Sequence, residues 1–151
     1  MPKETISCYV LPALPIPLLL PVECVAAVVS NPKIVALTQS TANWMHGHIT
    51  WENQRVPVLS YSGLHDSNLN ETKKAKPQVV VLNPIPDVTR KAFAGLLCFG
   101  AIKQVNIDST VIKGKLPENV DRRYVDAVIV KGKKQYIVPK LSALGVAFTY
   151  F

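Results

Sequence analysis

The chain has 151 residues, 48% of them hydrophobic, enough to bury a sizeable core as one domain or as two tightly joined small subdomains without help from a metal or disulfides. Seventeen Lys and Arg against ten Asp and Glu leave a formal charge of +7, which raises the question of nucleic acid. The clustering is weak, however. Lys73, Lys74 and Lys76 lie in a polar stretch, while Arg90 with Lys91, Arg122 with Arg123, and Lys131 with Lys133 and Lys134 fall in separate connections, with no aromatic residues interleaved as a stacking platform. A solvated surface or an acidic protein partner is the better reading, and a small basic β-barrel that binds nucleic acid is the alternative.

Cys8, Cys24 and Cys98 are odd in number, widely spaced and set among apolar neighbours, the pattern of free, largely buried, reduced thiols. The most apolar stretch, Val10 to Leu20, is shorter than the roughly 20 residues that span a bilayer and is broken by Pro12, Pro15 and Pro17. A secretory signal fits badly too, because Glu4 follows Lys3 and the prolines interrupt the apolar run. The expectation is a cytoplasmic protein with no direct membrane insertion.

Twelve prolines punctuate short runs rich in Val, Ile and Tyr, which favours strands over long helices. Ile6 to Leu14 reads as a first strand, and Leu18 to Val29 as one or two more, bent near Pro21. Ser40 to Met45 fits one helical turn ended by Gly47. In His48 to Tyr61, Ile49 and Trp51 approach the polar pair Glu52 and Asn53, and Val56, Val58 and Tyr61 follow, the pattern of a β-hairpin. Asp66 to Lys76 is polar and reads as an exposed connection, placing a first subdomain over 1–70 and a second over 77–151. Beyond it, Gln78 to Leu82 reads as a strand, and Phe93 to Val105 as another with kinks at Gly95 and Gly100. Val125 to Val138 reads as a second hairpin turning at Lys131 and Gly132, and Pro139 to Leu144 as a short helix stopped by Gly145. The residues show no internal repeat. Short strands with regular turns point to all-β barrels or a sandwich.

Chemistry is hard to find. His46 and His48 would share a face of a strand, but a third metal ligand is missing and His65 lies beyond the hairpin. There is no Gly-x-Ser-x-Gly elbow, and the pairs Gly114-Lys115 and Gly132-Lys133 open no phosphate-binding helix. Asp121 and Asp126 are the nearest approach to a pair of carboxylates, and strand alternation does not bring them to one site.

Two segments carry a resemblance. Pro21-Val22-Glu23-Cys24-Val25-Ala26-Ala27-Val28-Val29 is followed by Trp44-Met45-His46-Gly47-His48-Ile49-Thr50-Trp51-Glu52-Asn53-Gln54-Arg55-Val56-Pro57-Val58-Leu59. This order and spacing resembles the CheW-like domain, in which an apolar Val-x-x-Val strand precedes a Gly, a hairpin turn and a Pro-Val strand. Gly95 to Phe99 and Tyr136 to Leu141 stand where that family has a second-barrel strand and its closing strand. The resemblance implies a single CheW-like domain over 1–151 in which two small five-stranded β-barrel subdomains pack together with little helix. It also implies no catalysis and no cofactor, and a role coupling the cytoplasmic tips of chemoreceptors to the regulatory domain of a CheA-type histidine kinase. The Leu-Leu-Leu-Pro strand and Trp-x-x-Gly segment are most similar to short adaptors of chemosensory systems governing type IV pili and twitching motility. Partner contact is implied at Val25 and Gly47, joined by Glu52, Asn53 and Gln54 at the turn. Where the family turn reads Leu-Arg-Gly this chain has Trp51, Glu52 and Asn53, so the charge there is reversed. Ala27 stands where the family often has an acid, and Cys98-Phe99 where it has Val-Asp.

Overall fold

The structure is a computed structural model that describes residues 5–13, 16–36, 44–62, 76–84, 93–108, 110–118 and 120–148. The strands are β1 (Ile6–Leu11), β2 (Leu18–Pro21), β3 (Val25–Ser30), β4 (Val35–Ala36), β5 (Met45–Trp51), β6 (Gln54–Leu59), β7 (Pro77–Leu82), β8 (Ala94–Phe99), β9 (Lys103–Ile107), β10 (Ile112–Lys113), β11 (Val125–Lys131) and β12 (Lys134–Pro139). Helix α1 spans Leu141–Phe148, and 3-10 turns at Val22–Cys24 and Arg122–Tyr124 lead into β3 and β11. They form two six-stranded sheets, β3-β7-β8-β6-β5-β4 and β10-β11-β12-β2-β1-β9. Each carries one two-residue edge strand beyond the five expected.

Strand alternation sorts the apolar side chains into three cores. Val79 and Val81 face the interior of the first sheet, with Ile49, Val56, Val58 and Leu97, and both Val29 near one edge and Ile34 near the other pack on this cluster. The first sheet therefore curls around its own interior. The second sheet does the same around Cys8, Leu19, Ile107 and Tyr136, with Val10, Val105, Ile129 and Val138. The intervening residues, Leu11, Leu18, Leu20, Leu59, Val80, Leu82, Leu96, Val128 and Ile137, point the other way into one cluster joined by Leu144 and Ala147 of α1. Strands β2, β7 and β8 are buried on both faces, which is why they read as continuous apolar runs.

The architecture repeats. Hairpin β11-β12 follows hairpin β5-β6 by eighty residues, strand for strand. Each hairpin opens on a bulge, at Met45/Gly47 in one and Val125/Ala127 in the other. Beside each bulge one backbone bond closes the pair: Ser60 N–H donates to the Trp44 carbonyl at 2.8 Å and Lys140 N–H to the Tyr124 carbonyl at 2.9 Å. A parallel neighbour then follows, β8 beside β6 and β2 beside β12. The repeat is invisible in the residues because few equivalent positions, Ile49 with Ile129 and Val58 with Val138 among them, keep the same side chain.

Sheet membership departs from the boundary expected at 66–76. β7 and β8 belong with β3 to β6, whereas β1 and β2 cross to the sheet of β9 to β12, so the second sheet is assembled from two distant stretches of chain. Apolar runs buried on both faces carry no sign of which sheet they join. Residues 66–75 lie outside those described.

Other elements shift locally. The first strand stops at Leu11, ahead of Pro12. The run expected over Phe93 to Val105 is two strands in different sheets, divided at Gly100, whose φ of 119° turns the chain. The second hairpin turns one residue later than expected: Lys131 pairs with Lys134, leaving Gly132 at φ 63° and Lys133 as the loop. Gly145 lies buried within α1 and does not end it. Gly47 lies within β5 and closes no helical turn, and residues 40–43 of that expected turn are outside those described.

Two predictions test this packing. A Cβ on Gly95 would stand 2.8 Å from Val79 Cγ1 and 3.2 Å from the Pro57 carbonyl oxygen. Gly95→Val therefore costs about 2–3 kcal/mol in urea unfolding through overpacking. Tyr61, 2% exposed, donates its hydroxyl to the Tyr124 carbonyl and so links the end of the first hairpin to the second sheet. Burial holds this phenol above the ordinary tyrosine value, with the Asp121 charge adding to the effect. A raised folded value means stability that is full below about pH 10, the unfolded tyrosine range, and declines as pH rises above it, because the unfolded chain releases the proton first. Tyr61→Phe lowers stability by about 1 kcal/mol at neutral pH and flattens the decline above pH 10, measured as unfolding midpoints against pH.

Candidate partner-binding surface

The residues expected to meet a partner all belong to the first sheet, at separate places. Val25 begins edge strand β3 directly after the 3-10 turn, half-buried, with its side chain against the shared core between the sheets. Its stretch is pinned by Asn83, whose backbone N–H donates to the Cys24 carbonyl at 3.0 Å and whose side-chain amide donates to the Glu23 carbonyl at 2.9 Å. Gly47 is buried in β5, opposite Val58 and Ala36, and its φ of 142° is a conformation that side chains disfavour. This glycine therefore serves the bulge.

Glu52, Asn53 and Gln54 are exposed at the hairpin tip. Glu52 and Asn53 have φ of 50° and 60°, the two left-handed positions of a type I′ turn. Asn tolerates this conformation; glutamate is strained by it. The register Trp51↔Gln54 and Thr50↔Arg55 fixes the turn from below, and the Trp51 ring meets Phe93 edge-on at 4.9 Å. Five steps along the strand separate Gly47 from Glu52, roughly 16 Å at the usual rise. Only the three tip residues are thus brought together.

Two exposed apolar residues were not legible beforehand. Val28 on β3 is 38% exposed and Val35 on β4 is 56% exposed, and a short connection through Asn31, at φ 51°, joins these edge strands. Alternation within Val25 to Val29 is hidden by the bulge between Val25 and Ala27, so the outward valine could not be told from the inward ones.

The remaining polar features are structural. Asp121 caps the second 3-10 turn by accepting from Arg123 N–H and grips the Arg123 guanidinium, its Nη2 2.6 Å from Oδ2. That hydrogen bond, with the Asp121 charge, raises the guanidinium value further. Burial pushes the Cys8 and Cys24 thiols up, Cys8 further through Cys24 and Cys24 through Glu23, so both are held as thiols. Cys8 and Cys98 are buried as expected, whereas Cys24 is half-buried, and none of the three is in a disulfide. Among the described residues no three His, Cys, Asp or Glu side chains gather to hold a metal, and His65 lies outside them. No helix among them is long and apolar enough to cross a membrane.

A family model of the CheW-like domain matches residues 16–146. The chain belongs to the CheW-like family. Among solved structures, the scaffolding protein TtCheW from Thermoanaerobacter tengcongensis superposes with a TM-score of 0.69 at 17% identity, covering 93% of this chain and 90% of that one. No curated protein matches it. The CheW-like fold thus accounts for the two curled sheets and the core between them.

Two substitutions separate backbone requirements from surface chemistry. Gly47→Ala lowers stability by about 1–3 kcal/mol, because its backbone is held where alanine is strained. Glu52→Asn raises it by roughly 0.5–1 kcal/mol by relieving the left-handed turn. Guanidinium denaturation of the purified chain checks both.

Proposed function

We propose that this chain is a non-catalytic cytoplasmic adaptor that couples the cytoplasmic tips of chemoreceptors to the regulatory domain of a CheA-type histidine kinase. The observation that carries the reading is the CheW-like match over residues 16–146, which takes in the first sheet and every strand of the second but β1. The surface adds support. The first sheet presents an exposed tip with one charge at Glu52 to Gln54 and, on its edge strands, the exposed valines Val28 and Val35. Exposed apolar side chains beside polar ones are what a receptor helix or a kinase barrel needs to dock. Val25 and Gly47 act in this reading by shaping the sheet beneath the contact. The acidic Glu52 favours a partner whose facing surface is basic. The Leu-Leu-Leu-Pro strand at Leu18 to Pro21 and the Trp44 to Gly47 segment favour a chemosensory system controlling type IV pili and twitching motility as the setting.

Affinity capture with the intact chain as bait, against the cognate kinase regulatory domain and a receptor-tip fragment, tests the proposal. Retention of both in one complex is expected. Glu52→Arg is expected to weaken one partner by about tenfold, the size of one lost charge-assisted contact, with the melting curve unchanged or improved. Retention of neither partner by the folded chain sinks the adaptor reading; equal retention by Glu52→Arg removes the tip from the interface.

A further inference from the structure

We propose that the mouth of the second sheet is a binding site for an amphipathic organic anion, an apolar chain or ring carrying one carboxylate. A cavity of about 710 Å³ opens there, within the size range of small-molecule sites. Its apolar wall is Val10, Val105 and Tyr136, which also line the interior of the sheet, so the cavity continues that core outward. Lys103 from β9 and Lys133 and Lys134 from the hairpin stand on its wall, and among the described residues no acidic one lines it. None of the three lysines makes an ion pair with a described residue. The connection between β1 and β2 is held against the hairpin strand by Ile137 N–H donating to the Pro17 carbonyl at 2.9 Å, which fixes one side of the opening.

The structural repeat shows how unusual this mouth is. By pairing register, Trp51 and Phe93 of the first sheet correspond to Lys131 and Pro17 of the second, and Ala27 corresponds to Lys103. In the first sheet these positions are apolar, and the Trp51 and Phe93 rings pack on the interior. In the second sheet the aromatic pair is absent, the Lys131 ammonium is turned aside to the Asn106 carbonyl at 2.8 Å, and the opening is walled with positive charge. An apolar floor beneath three uncompensated cations matches an apolar body with one anionic head. Lys103 and the hairpin pair Lys133 and Lys134, about thirty residues apart in the chain, are thus gathered by the fold around a cavity, a geometry suited to one seated ligand and not to a phosphate track.

Titration of the intact chain with decanoate, followed by calorimetry and by amide chemical shifts, tests the site. Saturable binding at one site is expected, with the largest shifts at Val10, Val105 and Tyr136. Decyltrimethylammonium, with the same tail and the opposite head, and acetate, with the head and no tail, are each expected to bind at least about tenfold more weakly, the factor set by losing one charge-assisted contact or the apolar burial. The combined Lys103→Gln, Lys133→Gln and Lys134→Gln variant changes only side chains at the surface, so its fold, checked by circular dichroism, is expected to be unchanged while decanoate affinity falls by the same factor. Val105→Trp, which fills the cavity, is expected to block binding with the lysines intact. Equal affinity for the cationic amphiphile, undiminished binding by the folded triple variant, or shifts confined to another part of the chain each overturn the proposal.

Discussion

Everything in this fold depends on strands that must satisfy two cores at once. In β7, Val79 and Val81 fill the first sheet while Val80 and Leu82 fill the junction. In β2, Leu19 fills the second sheet while Leu18 and Leu20 reach the same junction. A slip of one residue in either strand would exchange the two sets, placing side chains sized for a narrow sheet interior in the junction. Gly95 shows how narrow that interior is, since the space beside Val79 and the Pro57 carbonyl admits no further carbon. Register, sheet curvature and the relation of the two sheets are therefore one constraint, sealed by α1 and by the Tyr61 hydroxyl on the Tyr124 carbonyl.

The same plan built twice carries different chemistry at its two tips. Both hairpins share the bulge and the closing backbone bond, because these are demands of backbone geometry. Their tips do not share chemistry. One turn is Glu52-Asn53 above a Trp51 and Phe93 contact, and the other is Gly132-Lys133 between lysines. The first presents an exposed polar tip carrying Glu52, and the second borders a cationic recess. A repeated scaffold lets the two faces diverge without disturbing the shared core, since the tips lie where packing places few demands.

Much of the first hairpin was legible from its residues. Alternation through Ile49, Trp51, Val56 and Val58 around a polar pair specifies both strands and the turn, and the observed register pairs Trp51 with Gln54. The same pattern reading met its limit where conformations are local exceptions. Gly47 read as a helix terminator because a glycine after a short polar segment commonly is one, while its actual role, a bulge at φ 142°, depends on the partner strand. Val28 was hidden for the same reason. The convergence of Lys103 with Lys133 and Lys134 was hidden because it joins strands from different parts of the chain.

The sequence by itself determined the all-β class, the hairpins and the family, because each rests on short-range information: alternation, turn residues and the spacing of Val25, Gly47 and Pro57. Only the tertiary structure decided which strands share a sheet, since the doubly buried runs at Leu18 to Leu20 and Val79 to Leu82 are alike in composition and burial. It also decided what the charges do. Seventeen basic residues along a chain set a net potential, but a binding site needs them to converge on a concave surface, and convergence comes from pairing β1 with β9 and carrying β2 beside β12.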